Sequence, residues 1–250
     1  MLAAVVMYAV MAASTYAASV TATITADNHY ALYFGSEANL TFAGRNELGS
    51  AGAPGDYNWS LPETFSNLPV GEDDRFIIVH WDDNPDQPAM TKALLAQFAF
   101  IDGRVLSTDA THWSYFITPI PNLGAYAAAP TAPELEAALV GASWAIPGYS
   151  TPNGTEVWGT YTRLVIPGIG TDANRLSRTS ANDSSYFLTA FRSSPMRDVQ
   201  ATIPEPATLA LLGLGLAGLA LSRRRKLNSA DAAMPRDDPA RVAASLVCSA

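Results

Sequence analysis

The residues whose types and spacing could do chemistry stand together in one short run, Asp82-Asp83-Asn84-Pro85-Asp86. Asp82, Asn84 and Asp86 occupy alternate positions, the 1, 3, 5 spacing by which a tight loop wraps oxygen ligands round Ca²⁺. The glycine at position 6 and the glutamate at position 12 of the helix-loop-helix version are replaced by Gln87 and Ala93, so the remaining ligands are not visible. Asp and Asn are also good turn formers after a strand. Two readings stand for this segment, a calcium loop and a plain turn, and the sequence implies no other cofactor.

Catalytic chemistry has less to build on. The histidines are His29, His80 and His112, and the one cysteine is Cys248, so a zinc site would need His plus carboxylates, without recognisable spacing. G-x-S-x-G, P-loop and H-E-x-x-H patterns are absent from the sequence. Asp73/Asp74 and Asp82/Asp83 are adjacent pairs in turns, and adjacent residues do not face one another across a substrate as glycosidase carboxylates must. His80 closes an apolar run, where it is either a presented group or a half-buried strand-end side chain. We assign no catalytic residue. Tyr57, Trp59, Trp113, Trp144 and Trp158 offer faces on which pyranoses stack, the alternative being core packing. Trp59, in the loop-like GDYNWS, is the candidate ligand contact.

The elements that position these residues read as β structure. Val20, Ala22 and Ile24 alternate with threonines, and Tyr30, Leu32 and Phe34 share a face, which predicts two half-buried strands around Asp27-Asn28. RFIIVHW, Arg75 to Trp81, is continuously apolar and belongs in the centre of a sheet. Leu94 to Phe100, His112 to Thr118 and Tyr186 to Arg192 are further strand candidates, with turns at 49–58, 82–88 and 166–170. Thr131-Ala132-Pro133-Glu134 is a capping box ahead of Leu135, Ala138 and Leu139, and Gly141 closes that helix. Many short strands and one short helix predict a mainly β protein: a jelly-roll-like antiparallel β-sandwich over residues 19–192, followed by a linker at 193–203.

Charge narrows the partners. From Ser19 to Ile203 there are nine Lys and Arg, of which Lys92 is the single Lys, against nineteen Asp and Glu. No basic patch is available to neutralise phosphates, which argues against nucleic acid. Without an internal cysteine, stability must come from the core alone, and a domain of this size can supply it.

The two ends carry a different message. Met1 to Ala18 is apolar and ends in small residues, as a secretory signal does, with cleavage expected after Ala17, Ala18 or Ser19. No Lys or Arg precedes the apolar run, which points to a start upstream of Met1. Near the other end, Pro204-Glu205-Pro206 precedes Ala207 to Leu221, which has no charge, and then Arg223, Arg224, Arg225 and Lys226. As a helix the apolar run covers about 22 Å of a roughly 30 Å hydrocarbon layer. Snorkelling of the four basic side chains and local thinning make up the difference. The basic cluster should stay cytoplasmic, placing the domain outside and the helix in the inner membrane. The two prolines hold the approach extended and non-helical at the membrane surface.

These three ordered elements resemble the PEP-CTERM sorting signal of Gram-negative envelope proteins. The resemblance implies recognition by a membrane-embedded exosortase, processing near Pro204-Glu205-Pro206, and release or surface attachment of the domain. Such signals usually end just after the basic cluster, whereas here Leu227 to Ala250 follows, read as a disordered overhang or, in the sharper reading, a cytoplasmic interaction tail. Within the domain, TADNHYALYFG, FIIVHWDD and YFLTAFR loosely resemble galactose-binding-like sandwiches. The expectation is an exported, non-enzymatic envelope or matrix protein that binds extracellular polysaccharide. The rivals are a secreted hydrolase acting on such a polysaccharide and a protein-binding surface scaffold.

Overall fold

The computed structural model describes residues 18–46, 61–83, 93–124, 127–154, 165–178 and 186–199. The chain divides between Thr202 and Ile203, and every described residue lies in the first unit. In strand β1 (Ala18–Asp27) the alternation with threonines buries Val20, Ala22 and Ile24 on one face, as the period of two requires. The chain bends at Asn28 and continues as β2 (His29–Ser36), whose Tyr30, Leu32 and Phe34 enter the same core from the opposite sheet.

That crossing from one sheet to the other recurs along the chain. β3 (Asn39–Arg45) leads to β4 (Glu63–Val70), β5 (Arg75–Trp81) to β6 (Ala93–Phe100), and β10 (Asn174–Ser177) to β11 (Phe187–Ser193). β8 (Trp113–Pro121) leads through helix α1 (Ala132–Leu139) to β9 (Gly148–Pro152). One sheet has the order β4-β1-β6-β10-β9, with the short β7 (Val105–Ser107) added beside β6, and the other has β3-β2-β5-β11-β8. Every recorded pairing is antiparallel. The two orders match pair for pair, so the chain is laid down as ribbons that each contribute one strand to each sheet. Between the sheets the central strands meet through Phe76 and Phe98, stacked 4.1 Å apart at 24°, the offset arrangement aromatic rings favour. The antiparallel two-sheet sandwich with one short helix is as the sequence predicts.

β5 and β6 stand third in their sheets and are buried on both faces. On β5, Phe76 and Ile78 point to the interior, while Ile77, Val79 and Trp81 point outward, beneath α1. Leu135 and Leu139 of the helix cover them. On β6, Ala93 and Leu95 point outward beneath Ile166, Ile169 and Ala173. This double cover is why RFIIVHW is continuously apolar rather than alternating. Helix α1 begins and ends where its signals stand. The Thr131 N–H and hydroxyl both donate to Glu134 Oε2 at 2.8 Å, and Gly141 takes the left-handed conformation past the last turn, with φ +71.

The sandwich also extends past Arg192, into residues expected to be linker. Ser193, Met196 and Val199 are buried, and the 3-10 turn Met196–Asp198 is tied back by Met196 N–H to the Asp74 carbonyl (3.0 Å) and Arg197 N–H to that of Glu72 (2.8 Å). β1 already begins at Ala18, the last residue of the expected leader. Among the described residues no helix is long and apolar enough to cross a membrane; the expected membrane helix, with the leader, the sorting segment and the tail, lies outside them.

Candidate functional site: an acidic cavity beside β7

β7 pairs with β6 and sets Ser107 opposite Gln97. Ser107 is buried; its hydroxyl donates to Asp172 Oδ2 at 3.0 Å, and its carbonyl accepts the Trp113 indole N–H at 3.1 Å. The chain then makes a tight turn governed by one side chain. Asp109 Oδ1 accepts the backbone N–H groups of Thr111 (2.7 Å) and His112 (2.6 Å), and its Oδ2 lies 2.7 Å from His112 Nδ1. An aspartate that closes a turn on its own downstream amides is a common local device, and here it also aims an imidazole. With Nδ1–H donated to the carboxylate, Nε2 is left as an acceptor.

The far wall comes from a loop, residues 165–173. Gly170 N–H donates to Gln97 Oε1 at 2.6 Å, and Asn174 Nδ2 donates to the Asp172 carbonyl at 2.9 Å. Asn153 holds the rest of the loop: its Nδ2 donates to the carbonyls of Ile166 (3.1 Å) and Ile169 (2.7 Å), and its Oδ1 accepts Ile166 N–H at 2.8 Å. Asp198 arrives on the 3-10 turn. Ser107, Asp109, His112, Asp172 and Asp198, with Val105, Leu106 and Val199, line a cavity of about 430 Å³. Three carboxylates, an imidazole and a hydroxyl thus line one cavity, with no Arg or Lys among its described lining residues. Such a surface is rich in hydrogen-bond acceptors. A nucleophilic relay is not formed, because the Ser107 hydroxyl donates to Asp172 and not to His112.

A second, apolar cavity of about 310 Å³ lies under the segment joining β8 to α1, lined by Trp81, Ile120, Leu123, Leu188 and Pro130, with Glu134 at α1. Trp81 is buried, stacked on His29 (5.7 Å between centroids, 24°), with the Arg45 guanidinium 5.2 Å from its ring centre. Arg45 also donates to the Ala127 carbonyl at 2.7 Å, and Tyr33, buried in the outer face of its sheet, donates its hydroxyl to the Pro130 carbonyl. Burial pushes the Tyr33 phenol above its ordinary range; Glu134 adds to the rise and Arg45 opposes it.

The residues singled out in the sequence are dispersed. Asp82 is buried at the end of β5, and its carbonyl accepts Asn122 Nδ2 at 2.9 Å. Asn84 and Asp86 lie outside the described residues, as do Tyr57, Trp59, Trp158, Pro204, Glu205, Pro206 and the basic residues Arg223 to Lys226. Among the described residues no group of three or more His, Cys, Asp or Glu is placed to hold a metal ion. His80 is interior, with Nε2 2.7 Å from the Asp27 carbonyl and its ring edge-on to Phe191. Trp113 packs in the core against Phe98, 5.7 Å between centroids, and Trp144 stacks under Arg192 at 4.1 Å. Ser107, Asp109, Asp172 and Asp198 were not legible as a site. The one local signal is Asp109-x-x-His112, a turn that orients a histidine.

Fold and cavity define an antiparallel β-sandwich with an acidic hollow beside β7. Attached to it is a sorting signal: residues 202–226 match the PEP-CTERM protein-sorting motif. The match covers the C-terminal signal and not the sandwich, and it is consistent with an exosortase substrate. No curated protein and no solved structure matches the chain. Motif and fold together support an exported, exosortase-processed cell-envelope protein.

Proposed function

We propose that the sandwich is a non-enzymatic surface or matrix protein that binds extracellular polysaccharide through the acidic cavity. The exosortase signal supports delivery to the outside of a Gram-negative envelope, by way of a precursor held in the inner membrane by Ala207 to Leu221, with Arg223 to Lys226 inside. The ribbon-wise crossing of strands between the sheets supports the jelly-roll-like reading of the fold. The observation that carries the binding reading is the convergence of Asp109, Asp172, Asp198, His112 and Ser107 on one cavity, of the size that small ligands occupy. Carboxylates accept strong hydrogen bonds from hydroxyls, and the Ser107–Asp172 bond supports binding over turnover by keeping the hydroxyl away from the imidazole.

The experiment is a glycan array on the full-length chain, with and without calcium, beside a release assay on the same glycans. Saturable binding without released product is expected, weakened about tenfold by Asp172→Asn, the worth of one hydrogen bond to a charged group. Released product would replace this reading with the hydrolase, and absence of binding to any glycan would leave the protein scaffold. Binding that needs calcium would assign the ion a role at Asp82, Asn84 and Asp86 only if Asp82→Ala removes that dependence.

A further inference from the structure

We propose that Asn39 is an acceptor for N-linked glycosylation, taking an oligosaccharide on its side-chain amide from a polyprenyl-pyrophosphate donor once the domain is outside the inner membrane. The inference uses the export that the sorting motif supports and is independent of the glycan-binding reading. The chain carries four Asn-x-Ser/Thr sequences in which x is not proline, at Asn39, Asn58, Asn153 and Asn182. In a secreted protein such a tripeptide is an acceptor where it lies on the surface. Asn58 and Asn182 lie outside the described residues, and the fold separates the other two.

Asn153 is shut away. It is 2% exposed, and its Nδ2 donates to the carbonyls of both Ile166 and Ile169. Asn39 is the opposite case. It opens β3, an edge strand, directly after the two-residue turn Glu37-Ala38. It is exposed, and its side chain makes no hydrogen bond among the described residues. In an extended strand residues two apart share a face, so the Asn39 amide and the Thr41 hydroxyl both stand in solvent while Leu40 turns inward. The two polar groups of the motif therefore lie on one accessible patch. Glu37 and Ala38 also line a cavity of about 490 Å³ shared with α1, so the helix leaves the hairpin tip open on that side.

The transfer balances without an oxidant or reductant. Asn39 Nδ2 forms a bond to the anomeric carbon of the donor's first sugar, the bond from that carbon to the pyrophosphate oxygen breaks, and the pyrophosphate leaves with the electron pair. One Nδ2 proton passes to a base of the transferase.

The test incubates the folded full-length chain, in detergent, with a bacterial oligosaccharyltransferase and a polyprenyl-pyrophosphate-linked oligosaccharide. The chain carries Asn58→Gln and Asn182→Gln, which confines the reading to Asn39 and Asn153, and a synthetic peptide of residues 35–43 is run beside it. Intact mass should rise by one oligosaccharide, and peptide mapping should place it on Asn39. Thr41→Ser should keep the addition and Thr41→Ala should lose it; the position is exposed, so neither change disturbs the core. A modified peptide beside an unmodified chain would show that the fold hides Asn39 and would overturn the proposal. So would an addition that survives Thr41→Ala, or one that falls on Asn153. No addition to chain or peptide, while the same enzyme modifies an unrelated acceptor, would show that the tripeptide is not an acceptor and would overturn it equally.

Discussion

The two outer faces of the sandwich solve one problem in different ways. Each central strand has an apolar outward row that must leave water. Over β5 the cover is a helix, which satisfies its own backbone and needs only an apolar stripe, Leu135 and Leu139, and a capped start. Over β6 the cover is irregular chain, whose buried amides and carbonyls need partners from elsewhere. Asn153 supplies three of those bonds from one side chain. The helix side consequently depends on hydrophobic burial and the loop side on a polar clamp. Each cover also lines a cavity: α1 brings Glu134 to the apolar one, and the loop brings Asp172 to the acidic one.

The strongest way to break this symmetry is Leu135→Ala. Leu135 is fully buried under the helix, and truncation of such a leucine costs about 3 kcal/mol. Urea unfolding of the full-length chain should register that loss. Where the protein is still folded, the glycan binding proposed for the acidic cavity should be unchanged; a loss there would show that the covers are not independent.

Asn153→Ala is the converse, with a smaller effect. It leaves the carbonyls of Ile166 and Ile169 and the N–H of Ile166 without their partner, at a cost of about 2 kcal/mol once water reaches part of the loop. The loss should fall on the acidic cavity, through Asp172, and spare the helix-covered face. Thermal unfolding together with glycan titration reads both parts. A stability deficit with unchanged glycan affinity would show that the loop does not position Asp172.

The same contrast explains what could be read from the sequence. β5 and β1 were legible because burial writes itself on the pattern, on both faces of one and on alternate residues of the other; β2 is a strand as expected but not a half-buried one, because Ala31 and Tyr33 on its outward face are covered with Leu135 and Leu139 of α1. Helix α1 was legible because Thr131, Glu134 and Gly141 act locally. β3 and β4 form the same edge of the two sheets and show blurred alternation, with Leu40 the one buried residue of β3. β7, β9 and β10 are too short to show a period. The acidic cavity joins residues 107–112 to Asp172 and Asp198, and nothing local links those positions. The sorting signal is the opposite case, because order along the chain is what a processing enzyme reads, and so three consecutive elements were enough to find it.

The smallest predicted effect sharpens the comparison by pH. Both Thr131 hydrogen bonds hold the Glu134 carboxyl below its ordinary range, with a slight opposing push from desolvation. A carboxylate with a depressed folded-state pKa adds stability that is fully present above its unfolded value, about 4.3, and that is lost as pH falls through the folded one. Glu134→Gln should therefore melt slightly below the parent at pH 7, and the gap should close as the pH is taken towards 3. Glu134 is exposed, so added salt should narrow the gap at neutral pH. Asp102, where burial pushes the pKa up and the Arg104 hydrogen bonds outweigh it, shifts in the same direction, but it is present in both proteins and cancels in the difference. The loop side provides the control. Asn153 carries no titratable group, so the deficit of Asn153→Ala should hold constant across the same range. A gap for Glu134→Gln that is also constant would mean that the cap acts through shape alone and that the two covers differ in packing but not in charge.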